Sequence, residues 1–217
     1  MSPSATAVEP DVLPEAKRRR TIANLQRLND VLARSPMAGR VWVWAGMLLG
    51  WAREGDLLAH DADDVDFAFL GDDVERLQAT IPLLADEGFM PHYRFPGLHG
   101  PATEYSFLRD DAKFEFFRLD VEDGSFVYHH YGYDDHRFVR NRLEIPAQPL
   151  EEFRFLDRTW LKVRDHEAEL TAKYGDWRTP APEWNYLRSP DIVATTDWDR
   201  STFDLWGAAF AAGECIG

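Results

Sequence analysis

Five apolar, β-prone runs follow one another between Phe89 and Ile145, and they constrain the fold more than any other feature of the chain. The runs are Phe89–Phe95, Thr103–Leu108, Lys113–Leu119, Ser125–Tyr128 and Phe138–Ile145, with Asp110-Asp111 and Glu122-Asp123-Gly124 as turns between neighbours. Helical spacing surrounds them. Ile22, Leu25, Leu28, Val31 and Leu32 recur at intervals of three and four within Glu15–Arg34, and Ser35-Pro36 ends that helix. Val41–Trp44 reads as a short strand, Met47–Arg53 as a short helix closing at Gly55, and Val65–Leu70 as a strand. Val74, Leu77, Ile81 and Leu84 mark a helix over Asp72–Glu87, with Gly88 at its C-terminal position. A strand or turn is expected near Phe153–Val163, a helix over Asp165–Tyr174 and a helical pattern over Asp199–Ala212.

A chain of 217 residues without repeat, low-complexity tract or linker suggests one domain. We expect a flexible arm over residues 1–14, which hold three prolines, and a single domain over 15–217. Eight Trp and fourteen Phe argue for a packed core and against disorder. Lysine plus arginine is 24 and aspartate plus glutamate is 38, a formal charge of −14 that repels a phosphate backbone and argues against nucleic-acid binding. A small anionic substrate remains compatible, provided that a metal or a few arginines offset the charge locally. The single cysteine, Cys215, excludes an internal disulfide and a thiolate zinc site. No signal-peptide run and no membrane-span run is present, so the expected compartment is cytoplasmic. The basic cluster Lys17–Arg20 reads as a solvated helix face.

The segment AHDADDVDFAFL, residues 59–70, is the most informative for chemistry. In an extended chain, Val65, Phe67 and Phe69 point to one face, and Asp64, Asp66 and Ala68 to the other. Carboxylates at i and i+2 lie on the order of 7 Å apart at Cα, close enough for both to reach one cation. Folding does not call for two like charges there, and a divalent ion would offset their repulsion. A polar outer face on a one-sided sheet gives the same alternation. A calcium EF-hand loop starting at Asp61 is rejected, because Asp66 stands where glycine belongs and Asp72 where glutamate belongs. Oxygen ligands favour Mg2+ or Mn2+ over zinc. Upstream, Gly46, a short helix with Gly50, and Arg53 suit a bound polyphosphate, with Arg53 either a phosphate contact or a surface arginine.

The stretch WAGMLLGWAREGDLLAHDADDVDFAF resembles the LicD/fukutin family of the nucleotidyltransferase fold, whose pattern reads roughly GTLLGxxRxGxxIPxDxDxD. PLEEFRFLDRTWLKV and then ELTAKYGDWRTPAPEW are similar to that family's closing segment, so the resemblance spans about Val41 to Trp184. It implies an α+β fold, a nucleotidyltransferase-like mixed β-sheet flanked by helices, with a divalent-metal site. Asp64 and Asp66 match the metal-binding pair, and Glu115 in KFEFF stands where the family usually has an aspartate, with Asp120 as the alternative. Gly46 and Arg53 fall where donor phosphates are held. Asp176 and Trp177 become supports of the site, although Tyr174 and Trp177 by themselves read as core packing. Met47 departs from the family's small hydroxyl residue, and Ala59 replaces a common proline. One extra residue separates His60 from the Asp pair, leaving Asp61 and Asp63 without a role.

The resemblance implies a metal-dependent phosphotransferase that moves a phospho-alcohol from a CDP-activated donor to a sugar-type hydroxyl. Its alternatives are nucleotidyl transfer from an NTP to a small hydroxylated acceptor, and a nucleotide-binding protein of the same fold without catalysis. Asp64, Asp66 and Glu115 are the expected catalytic and metal residues. The partners are then a nucleotide-activated donor and a hydroxylated acceptor, with no nucleic acid and no membrane span. The segment YHHYGYDDHRF offers His129, His130, Asp134, Asp135 and His136, but adjacent strand residues face opposite ways, which favours a surface hairpin over a metal site. Neither a G-x-S-x-G elbow nor a P-loop lysine motif occurs.

Overall fold

A computed structural model describes residues 15–60, 62–97 and 100–199. Helix α1 (Glu15–Ala33) is followed by β1 (Val41–Val43), α2 (Ala45–Glu54), β2 (Asp64–Leu70), a 3-10 turn and α3 (Val74–Asp86). The expected strand series is β3 (Met90–Gly97), β4 (Gly100–Arg109), β5 (Ala112–Glu122), β6 (Ser125–Asp134) and β7 (Arg137–Pro146). A separate hairpin, β8 (Leu150–Phe155) with β9 (Arg158–Val163), leads to α4 (His166–Tyr174), a 3-10 turn at Tyr186–Arg188 and β10 (Ile192–Asp197). The fold is α+β, with a mixed sheet flanked by helices.

The main sheet runs β1-β2-β5-β6-β7-β10, and the β3–β4 hairpin joins it through β5. Strand β5 is the hub. Residues 113–119 run parallel to β2, residues 112–117 pair antiparallel with β4, and residues 120–122 continue to β6. A parallel pair needs a long crossover, and residues between β2 and β5 supply it with α3 and the β3–β4 hairpin.

Both faces of β2 and of the adjoining part of β5 are covered, which removes the reading of a one-sided sheet with a polar outer face there. Val65, Phe67 and Phe69 pack with Phe114, Phe116 and the stripe Leu25, Leu28 and Val31 of α1. On the other face Ala68 joins Trp42, Trp44, Phe117, Leu119, Tyr128 and Leu143. Burying each large side chain is worth roughly 1.5–3 kcal/mol, so β2 is anchored from both sides before its two aspartates are considered. Gly50 matters in the same way: a Cβ there would lie 2.6 Å from the Asp56 carbonyl oxygen, so only glycine lets α2 sit this close to the segment feeding β2.

Some expectations change. Strand β6 runs on to Asp134, and the turn sits at Asp135-His136, both at positive φ (45° and 64°). Strand β10 falls where no strand was expected, although four of its six residues, Ile192, Val193, Thr195 and Thr196, are β-branched. The basic cluster of α1 is only partly a solvated face: Lys17 pairs with Asp63 and Arg18 with Asp56, so it pins the segment leading into β2. The expected arm, Asp61, the helical pattern over 199–212 and Cys215 lie outside the described residues, Asp199 itself excepted. Among the described residues no helix is long and apolar enough to cross a membrane.

Candidate functional site

The parallel register of β2 on β5 sets Asp66 directly opposite Glu115 and Asp64 opposite Lys113. Side chains at these positions share one face, and carboxylate oxygens of Asp64, Asp66 and Glu115 come within 4.8 Å of one another. The three line a cavity of about 390 Å³, with Gly46, Glu104, Lys113 and Lys173 also on its wall. Glu115 is buried, whereas Asp64 and Asp66 are half-buried. The Lys113 ammonium bridges Asp64 at 3.0 Å and Glu115 at 3.1 Å. Tyr93 donates its hydroxyl to Glu115.

Asp66 is aimed by the backbone. Its Oδ2 accepts from the Gly46 amide at 2.9 Å, at the start of α2. The preceding Ala45 has φ of 42°, in a region that residues other than glycine rarely enter. Outliers of this kind concentrate at functional sites, and here the outlier sits one residue from the amide that holds Asp66.

The electrostatics are those of crowded acid. Burial, then the charge of Glu115, drives the Glu104 carboxyl well above its ordinary range. Burial also raises the Tyr93 phenol, with Glu104 and Glu115 adding to it. Lys113 is drawn down by burial, but the charges of Glu115 and Asp64 outweigh that and raise it overall. A cluster of this composition suits a hard divalent cation, which takes oxygen ligands.

The other wall is aromatic. Phe95 stacks on Tyr131 with centroids 4.6 Å apart, and Tyr174 lies 4.8 Å from Trp184. His130 turns inward onto this wall, at 5.7 Å from the Tyr186 ring, while His129 faces the opposite side of β6. Burial lowers His130 well below the ordinary histidine value, and its Nδ1 has no hydrogen-bond partner among the described residues. The segment around it is therefore part surface hairpin and part cavity wall.

Of the residues read from sequence, Asp64, Asp66, Glu115 and Gly46 come together. Arg53 does not join them: it pairs with Glu54 at 2.9 Å and is not among the residues lining the cavity. Asp120 is held by Arg118 at 2.7 Å, outside the carboxylate cluster. Met47 is core, and so is Trp177, whereas Tyr174 lines the cavity. Asp176 is exposed.

Sequence reasoning passed over Glu104, Lys113 and Lys173. Lys113 was available from the alternation that selects Glu115. Lys173 was available from helical spacing, since Glu169, Leu170 and Lys173 together form the buried stripe of α4.

A mixed sheet thus presents an Asp-x-Asp pair and a third carboxylate from a parallel neighbour to one cavity. The family model described as the LicD/FKTN/FKRP nucleotidyltransferase domain matches residues 39–160, more than half of the 217-residue chain, and the chain belongs to that family. Its members are transferases. The match covers Asp64, Asp66 and Glu115 and ends before α4. No curated protein matches the chain.

Proposed function

We propose that the protein is a metal-dependent transferase that moves a phospho-alcohol group from a CDP-activated donor to a sugar-type hydroxyl. The observation that carries this reading is the approach of three carboxylates to within 4.8 Å on the wall of one cavity. Asp64, Asp66 and Glu115 would hold Mg2+ or Mn2+, which when bound offsets charge on the phosphoryl oxygens.

Each neighbouring group has a task in this reading. The Gly46 amide keeps one Asp66 oxygen fixed. Tyr93 and Lys113 hold Glu115, so the third carboxylate needs little reorganisation when donor arrives. The aromatic wall excludes water and packs against the donor's organic part. Arg53 lies away from the cavity wall, so the phosphate contact expected of it is not part of this reading. Family membership and the C-terminal Tyr-Gly-Asp-Trp segment favour phospho-alcohol over nucleotidyl transfer.

Thermal melting with CTP, other NTPs, CDP-choline and CDP-ribitol, each with and without Mg2+, tests the reading. A magnesium-dependent rise with CDP-alcohols, absent in Asp64→Asn, is expected. A rise with NTPs alone replaces the reading with nucleotidyl transfer, and no rise with any ligand removes it.

A further inference from the structure

Lys173 is a buried cation on the cavity wall that the carboxylate site does not use. It is only 2% exposed, yet it lines the same cavity as Asp64 and Asp66. It is held from behind by three separate pieces of chain. Its Nζ donates to the Tyr128 hydroxyl of β6 at 2.7 Å, and Tyr128 in turn donates to Asp191, just before β10. Asp191 lies 4.0 Å from Nζ, beyond hydrogen-bonding distance but close enough to balance its charge. The rings of Tyr128 and Trp44 lie 4.9 and 5.9 Å from Nζ.

An ammonium has three N–H groups, and among the described residues the hydrogen bond to Tyr128 is the one Lys173 Nζ makes. Two donors are left on a buried charge, which is costly unless a ligand meets them. A Lys–Asp pair at this depth is weak evidence for stability, because desolvation opposes the attraction. Its placement supplies the missing reason. Burial lowers the Lys173 pKa, the charges of Asp191 and then Asp66 oppose that, and Lys173 and Asp66 line the same cavity. Lys113, the other lysine on the wall, is already engaged with Asp64 and Glu115.

We infer that Lys173 binds the diphosphate of the activated donor, its two remaining N–H groups meeting non-bridging oxygens on the side away from the metal carboxylates. A chain carrying −14 charges has particular need of such a contact to admit an anion. The inference rests on the transferase reading above and deepens it. It also gives α4 and the Asp191 turn, both beyond the family match, a direct part in the site.

The test uses Mn2+ and inorganic pyrophosphate as probes, measured by titration calorimetry on the full chain. The paired variant Lys173→Met with Asp191→Asn removes the buried charge together with its partner. It is expected to bind Mn2+ as the wild type does and to bind pyrophosphate about tenfold or more weakly, the loss of one charge-assisted contact. Unchanged pyrophosphate affinity overturns the inference. If that variant melts early, Tyr128→Phe replaces it: freeing Nζ is expected to weaken pyrophosphate several-fold, and no change again overturns the inference. A wild type that binds Mn2+ but no pyrophosphate overturns the role of Lys173 and leaves the metal site standing. Pyrophosphate binding without any Mn2+ binding removes the metal reading, and the variants still decide Lys173.

Discussion

The two walls of the cavity handle charge in opposite ways. On the β2–β5 wall, three carboxylates crowd together, with the Lys113 ammonium bridging two of them, and Asp64 and Asp66 stay half-buried. On the wall built by α4 and the Asp191 turn, one cation and one anion are fully buried and tied through Tyr128. The first arrangement has excess negative charge, which on the proposed reading a divalent ion offsets. The second is balanced internally and keeps only N–H groups in reserve. Charge left over marks where a ligand acts, and charge balanced marks what positions it.

The largest expected effect comes from the unbalanced wall. Asp66→Asn should lower turnover about a thousandfold or more, the scale of losing several kcal/mol of transition-state charge stabilisation. It should leave the melting temperature unchanged or raised, because a repulsive neighbour is removed. A steady-state assay paired with a melting curve checks both, and a large fall in melting temperature would break the contrast between the walls.

Asp191→Asn alone should do the reverse. Leaving Lys173 buried without its counter-charge costs about 3–5 kcal/mol, read as a shift in denaturant midpoint. The paired variant with Lys173→Met should recover much of that loss.

Glu169 sharpens the comparison further, since it lies fully buried beside the balanced pair. Both of its carboxylate oxygens lack a hydrogen-bond partner among the described residues. Burial pushes its pKa up to about 8 from 4.5, with Asp191 adding to the rise and Lys173 and Lys162 opposing it. A carboxyl whose folded pKa is raised contributes stability below its unfolded pKa and loses it as pH climbs through the folded value. Stability should therefore fall between about pH 4.5 and 8 by on the order of 4 kcal/mol from this group. Glu169→Gln should flatten that dependence in urea titrations at pH 5 and 8, and an unaltered slope would rule the group out as its source.

The smallest effect tests how the aromatic wall is assembled. A Cβ on Gly132 would meet Leu187 Cδ2 at 2.6 Å and the Tyr186 hydroxyl at 2.8 Å. Gly132→Ala should cost about 1–3 kcal/mol through overpacking and displace Tyr186 from the cavity, read as weaker donor binding with Mn2+ affinity unchanged.

Much of the carboxylate wall is legible from local pattern. Period-two alternation places Asp64 and Asp66 together opposite Val65, Phe67 and Phe69, and the same rule in KFEFF places Glu115 with Lys113. The strand series, with its turns at Asp110-Asp111 and Glu122-Asp123-Gly124, and the glycines closing α2 and α4 are equally local. The opposite wall is not legible in this way. Lys173, Tyr128 and Asp191 are 45 and 63 residues apart where they bond, and no spacing rule links them. The placing of Arg53 outside the cavity and the pinning of Asp63 by Lys17 are of the same kind.

The sequence by itself determined the alternating strands, the amphipathic helices, the acidic pair and the family pattern, because each depends on neighbours a few residues apart. Only the tertiary structure decided which carboxylate meets the pair, which lysine faces it and which histidine turns inward. Those outcomes follow from the parallel register of β2 on β5 and from the return of α4 and β10 across the sheet. Burial then decides charge state, since the same carboxyl group is an ion in water and an acid in a core.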